Sequence, residues 1–257
     1  DVETRFYPKK KFPLAKSVIV LAMSFAPSQI STPNPCEGYI CLYARGRDYH
    51  KVLKKRAEKL CTQMRDNFGT FDYKICVDTA PVAERSLAVR AGLGFVGKNC
   101  LLIIPGSGSM VVLCEIFCSL EIQSTQSDEK FSCGECRKCL DACPTNALNG
   151  LGELDASRCI NALTIEYDGK IPQKIAEKMG GRIFGCDDCM LACPHNTAIA
   201  PGDEELRNND FVAPQIKDVL NWTHDDWDSF TRGHSTRRAR LEQFIRNAKI
   251  ADDNIKS

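Results

Sequence analysis

The cysteines at 133, 136, 139 and 143 stand in C-x2-C-x2-C-x3-C-P spacing, and a second run, Cys186, Cys189 and Cys193 before Pro194, repeats the last three of them. Thiolates at these intervals hold iron–sulfur clusters: three close cysteines grip one 4Fe-4S cube, and the fourth, before the proline, reaches across to another. The second run is one ligand short, and Cys159 in LDASRCI is the obvious supplement. The count then closes, with Cys133, Cys136, Cys139 and Cys193 for one cube and Cys143, Cys159, Cys186 and Cys189 for the other. Zinc is the competing reading, because C-x2-C pairs also build zinc ribbons. Three cysteines at successive x2 intervals followed by C-P make a poor zinc pattern.

The chain has 15 cysteines, an odd number, and more than half lie between Cys133 and Cys193. A disulfide framework would spread them, so the pattern suits a reducing cytosol and a metal. The other seven, Cys36, Cys41, Cys61, Cys76, Cys100, Cys114 and Cys118, fall mostly in apolar contexts and read as small buried hydrophobes. Clusters pass single electrons but choose no substrate, so a terminal acceptor site must lie elsewhere. AGLGFVGKN carries glycines only at Gly92, Gly94 and Gly97, which is not a dinucleotide fingerprint. DYHKVL from Asp48 is one residue short of a DxHxxG cobalt-binding signature, with Leu53 in place of the glycine. On that basis His50 reads as a solvated histidine on a basic helix.

These residues need elements to position them. A 257-residue chain can bury a sizeable core. Its net charge of +1 argues against a uniformly basic coat. No apolar run reaches membrane-spanning length. The sequence opens on Asp1 without a methionine, as a fragment or trimmed product would. SVIVLAMSF from Ser17 predicts a buried strand, and DYHKVLKKRAEKLCTQMRDNF predicts a helix with Leu53, Ala57, Leu60, Cys61, Met64 and Phe68 inward. FDYKICV alternates as a half-buried strand, and the DTAP that follows offers Asp78 as N-cap for a helix ending at Gly92. CLLII and MVVLCEIF predict two more strands around the turn PGSGS. The polar break QSTQSDEK then separates an α/β domain, 1–125, from a cysteine domain, 126–200, too poor in apolar residues for a large core of its own. In the last segment, 201–257, Leu241, Phe244, Ile245 and Ala248 predict an inner helical stripe that leaves Arg237, Arg238, Arg240 and Arg246 exposed.

Taken together, ARGRDYH from Ala44, VDTAPVAERSLAVRAGLGFVGKN from Val77, the eight-cysteine pattern, LDASRCINALTIE from Leu154 and GCDDCMLACPHN from Gly185 closely resemble the epoxyqueuosine reductases. The resemblance runs from about Lys16 to about Ala248. It implies a mixed α/β fold: a nitroreductase-like cobalamin-binding domain, a ferredoxin-like module with two 4Fe-4S clusters, and a short helical C-terminal segment. It implies a cytoplasmic, monomeric enzyme with no membrane association that reduces epoxyqueuosine to queuosine at the wobble position of tRNA, fed by an external low-potential electron donor. It further implies base-off cobalamin with no histidine on cobalt, in keeping with the failed DxHxxG match.

The family's proposed general acid corresponds to Asp78, whose pKa burial against cofactor and substrate would have to raise; the plainer reading is a helix cap. By the same resemblance Tyr43, Lys98, Asn99 and Met110 line the corrin, and Ile160, Ala162 and Thr164 bring a cube close to it. Glu84 reads as a surface or salt-bridge residue. Position 195 is histidine where the family often has tryptophan. Arg237, Arg238 and Arg240, with the basic helix bearing Arg56 and Lys59, are the candidate phosphate contacts. Some members continue into helical repeats past the point where this sequence stops, which implies a shorter reach along the tRNA. The alternatives are a reductive dehalogenase, which usually carries a secretion leader and an aromatic proton donor, and a ferredoxin-type carrier, which needs no α/β domain of this size.

Overall fold

Strand β1 (Ser17–Ser24) leads through the two-residue β2 (Tyr39–Ile40) to helix α1 (Tyr49–Phe68), strand β3 (Tyr73–Cys76), helix α2 (Glu84–Arg90), the short strands β4 (Phe95–Val96) and β5 (Leu102–Ile103), and strand β6 (Val111–Cys118). The computed structural model describes residues 5, 7–30, 34–124 and 131–256; most of the polar break, 125–130, lies outside the described residues. Strands β1 and β3 flank β6 in an antiparallel sheet, with Ser17 opposite Cys118 on one side and Tyr73 opposite Cys118 on the other. β5 pairs with β4, and across the glycine turn only Ile104 bridges to Gly108.

α1 starts where Asp48 accepts the backbone N–H of His50, and it stops at Gly69, whose φ of 74° suits a residue without a Cβ. It buries Val52, Leu53, Ala57 and Cys61 against the sheet, and its lysines face outward. Phe68, expected inside, is the last residue of the helix and is 67% exposed. β1 is only partly buried, since it is an edge strand. α2 begins at Glu84 after an uncapped Ala83. Asp78 is therefore not its cap: it sits upstream with φ of 54°, outside the extended backbone that an N-cap requires.

The second half runs through α3 (Lys138–Asp141), α4 (Ile160–Ile165), α5 (Gln173–Ala176), strand β7 (Arg182–Phe184), α6 (Asp188–Leu191), α7 (Ile216–Val219), α8 (His224–Thr231) and α9 (Leu241–Lys256). β7 pairs parallel with β2, so the cysteine segment is stitched to the N-terminal half. A second core forms there from Ile40, Ile183, Phe184, Ile216, Val219 and Phe244. α9 also buries polar groups. Asn247 donates to the carbonyls of Thr164 and Ile183 at 2.9 Å each, and Gln243 donates to that of Ile165 at 2.9 Å. Arg246, expected to be exposed, donates to the carbonyls of Leu163 and Gly169 at 2.8 and 2.9 Å. The bonds to Leu163, Thr164 and Ile165 satisfy open C-terminal carbonyls of α4 and fix its position. Among the described residues no helix is long and apolar enough to cross a membrane.

Candidate active site

A cavity of 460 Å³ opens between the sheet end and the cysteine segment. Phe25, Tyr43, Val111 and Val112 form one side; Cys143, Cys159, Cys186 and Cys189 form another. The four thiols assigned to one cube thus share a wall of the same chamber. The other four, Cys133, Cys136, Cys139 and Cys193, line a separate 30 Å³ cavity with Lys98, Asn99 and Ile103. Among the described residues no group of three metal-ligating side chains converges tightly enough for one ion. A cube gives each thiolate its own iron vertex, so its ligands have to surround a void, and these do. Burial pushes the Cys186 thiol up to about 12 and raises those of Cys139 and Cys193. Such groups ionise only beside a strong positive charge, which iron supplies.

Asp187, between two of these cysteines, was not singled out from sequence. It is buried and accepts the Tyr39 hydroxyl at 2.6 Å and the Leu42 N–H at 2.7 Å. Burial raises its pKa. These bonds tie the segment carrying Tyr43 to the thiol loop.

Across the cavity, the first turn of α1 and the Asp78 loop meet. His50 Nδ1 lies 2.8 Å from Asp48 Oδ1, and its Nε2 lies 3.4 Å from Asp78 Oδ2. Its ring stacks on Tyr49 with centroids 4.0 Å apart. His50 is not a solvated surface histidine. Its side chain is only 32% exposed, because the helix start turns it inward against a second carboxylate that lies 28 residues away. Burial alone would lower its pKa, but the two carboxylates outweigh this and lift it to about 9. The Asp78 carboxyl is lowered, chiefly by the His50 hydrogen bond, and not raised as its expected role requires. Its backbone N–H donates to Glu84 Oε1 at 2.6 Å. Glu84 is therefore no bystander: it anchors the Asp78 loop, and burial raises its own pKa.

The remaining sequence candidates divide. Tyr43, Asn99 and Ile160 line the 460 Å³ cavity. Lys98 turns to the other one, with its backbone N–H 3.4 Å from Cys133 Sγ and its Nζ bonded to the carbonyls of Gly134 and Cys136 at 2.7 and 3.1 Å. Met110 packs in the sheet core at 2% exposure. Thr164 is buried, bonding the Ile160 carbonyl and the Gly185 N–H, and Ala162 does not line the chamber. His195, at the departure from the family pattern, lines the smaller cavity and meets Phe95 edge-on. Each candidate arginine has a carboxylate partner: Arg237 with Asp228, Arg238 with Glu166 and Arg240 with Asp168. Only Arg238 of the three also lines the chamber. Arg56 is likewise bonded to Asp203 and Glu205.

Residues 132–196 match the family described as a 4Fe-4S double cluster binding domain, and residues 5–79 match that described as epoxyqueuosine reductase QueG. An epoxyqueuosine reductase of Pseudomonas aeruginosa is 37% identical over 262 residues, covering 98% of this chain and 72% of the relative. A crystal structure of epoxyqueuosine reductase with an epoxyqueuosine-modified tRNA-Tyr stem loop superimposes with a TM-score of 0.90 at 33% identity, covering all of this chain and 69% of that one. A structure of the Bacillus subtilis enzyme with its catalytic aspartate loop swung out of the active site gives 0.89 at 31% identity, with the same coverage of 100% and 69%.

Proposed function

The chain belongs to the epoxyqueuosine reductase family, and from that premise we propose that it reduces epoxyqueuosine to queuosine at the wobble position of tRNA, drawing electrons through two 4Fe-4S clusters into bound cobalamin. The observation that carries this is the shared chamber: four cluster-type thiols on one wall face an acid–imidazole pair on another. The mixed α/β architecture, divided as an α/β domain over 1–125, a double-cluster domain over 126–200 and a helical segment over 201–257, suits a nitroreductase-like cofactor domain joined to its electron supply.

The chamber's residues fit a corrin. Phe25, Val111 and Ile160 offer apolar surface, and Tyr43 and Asn99 offer polar contacts for amide arms. Both nitrogens of His50 face carboxylates, so the imidazole is not free to ligate cobalt, in agreement with a base-off cofactor lacking a histidine ligand. Bound there, cobalamin supplies the low-potential reduction that breaks a C–O bond. Removing the epoxide oxygen as water takes two electrons and two protons. Asp78 is the side chain placed to deliver a proton, and a relative whose catalytic aspartate loop swings out fits a residue that is 58% exposed at its side chain. The lowered pKa comes chiefly from the His50 hydrogen bond; excluding water around Asp78 raises it. A wobble base has to be turned out of its stack to reach this depth. Arg238 stands at the chamber wall to meet it, with Arg237 and Arg240 nearby on the same segment.

The test is anaerobic reconstitution with iron, sulfide and cobalamin, followed by nucleoside analysis of epoxyqueuosine-tRNA. Wild type yields queuosine. Asp78→Asn, which tolerates the same left-handed backbone, loses at least ~100-fold of the rate with the cobalamin absorbance unchanged. Halide release from an organohalide without queuosine formation would instead support a dehalogenase.

A further inference from the structure

Two protons are required, and one carboxyl supplies only one per cycle. Resting on the reading above, we propose that His50 is the proton relay of this site: it stores a proton between Asp48 and Asp78 and refills Asp78, so that both protons of the reduction pass through a single side-chain path. The geometry is continuous. Asp48 Oδ1 holds Nδ1 at 2.8 Å, Nε2 lies 3.4 Å from Asp78 Oδ2, and Asp78 lines the chamber. Asp48 also bonds the His50 backbone N–H at 3.1 Å, so the carboxylate is anchored to the helix start and orients the ring.

In the step, electrons supplied through the clusters break the two C–O bonds in turn, and a carbon–carbon double bond forms. Nε2–H first transfers its proton to the Asp78 carboxylate, which passes it to the oxygen. The neutral imidazole, with Nδ1–H on Asp48, regains a proton from solvent through its exposed edge. Nε2–H then refills Asp78, which gives the second proton, and the oxygen departs as water. The resting pair is imidazolium and carboxylate, consistent with a raised His50 and a lowered Asp78. Transferring the proton neutralises both groups, and a chamber that has lost its water favours the neutral pair. This removes the conflict between an acidic Asp78 at rest and its work as an acid.

The other charges facing the pair are Tyr49 under the ring, Glu84 behind Asp78 and itself near Arg5, Lys51 beside Asp48, and Arg238 toward Asp78. None of them bonds either imidazole nitrogen. The deciding measurement is the pH profile of single-turnover queuosine formation, run beside ring-carbon NMR of 13C-histidine holoenzyme; the chain has only 4 histidines. In wild type the rate falls, and the His50 ring titrates, near pH 9. In His50→Gln the falling limb moves down by at least ~2 pH units toward the carboxylate range. The loss against wild type is then ~100-fold or more at pH 8 and shrinks as the pH is lowered. Asp78→Asn brings the His50 ring titration down toward ~6.5. A uniform loss with an unmoved limb in His50→Gln would overturn the relay and leave a structural role, as would a ring titration indifferent to Asp78→Asn. Wild type without turnover would defeat the functional reading and the relay with it, a result distinguishable because no variant is needed to see it.

Discussion

The two thiol quartets come from one sequence repeat, yet their surroundings differ. Cys133, Cys136, Cys139 and Cys193 close on a 30 Å³ space beneath Lys98, whereas Cys143, Cys159, Cys186 and Cys189 open into the 460 Å³ chamber. Each run lends its last cysteine to the other's site, and α3 packs on α6, so neither quartet can form without the other run. The contrast assigns different work to equal ligands. A cluster in the closed quartet lies apart from the chamber, with Cys133 and Cys136 partly exposed, and suits receiving electrons, while one in the open quartet shares a wall with the chamber.

Removing one thiol from each tests that division most severely. Cys186→Ser should abolish queuosine formation, by ~1,000-fold or more, whichever reductant is used, because no electron then reaches the chamber. Cys133→Ser should lose activity with a protein donor but recover a measurable part with a small low-potential reductant able to reach the inner cluster. Iron content, electron paramagnetic resonance and single-turnover product follow the two variants. Equal, unrecoverable losses would erase the contrast.

A smaller effect sharpens it. The Lys98 ammonium sits over the backbone of the closed quartet, bonding two of its carbonyls. Positive charge near an anionic cluster stabilises its reduced form. Lys98→Met should lower the potential of that cluster by on the order of tens of millivolts and leave the other unchanged, read by redox titration. A shift of the open cluster instead would place Lys98 in the corrin site, as the family resemblance implies.

What sequence could reveal follows the same line. The cysteine quartets were legible because cluster ligation imposes spacing along the chain, and Cys143, Cys159 and Cys193 had to be brought in from a distance. α1 was legible from its apolar stripe, Phe68 excepted. His50 was not, because periodicity places it on a polar face and its meaning comes from Asp78, which reaches it only through the fold. The same holds for Asp187, whose partners Tyr39 and Leu42 lie about 150 residues upstream, separated by 148 and 145 positions. The C-terminal arginines read as free positive charge, since pairing with Glu166 and Asp168 is a tertiary fact.

The smallest expected effect on chemistry belongs to Glu115, far from either quartet's ligands. It lies at the centre of β6, opposite Val20 and Cys76, with 0% exposure, and neither carboxylate oxygen has a hydrogen-bond partner. Burial first, and then the negative charge of Glu84, pushes its pKa up to about 8. The unfolded chain releases this proton near pH ~4.5 while the folded chain keeps it, so stability falls as the pH rises between these two values. Up to neutral pH the loss is roughly 3 kcal/mol. Glu115→Gln keeps the shape and removes the titration. It should match wild type at pH 5, melt several degrees higher at pH 8, and leave the pH profile of queuosine formation unmoved. Thermal denaturation across that range is the check. A variant that instead shifted the falling limb of the rate would show that Glu84 transmits the charge of the sheet interior to Asp78, and the proton path would then extend behind the chamber wall.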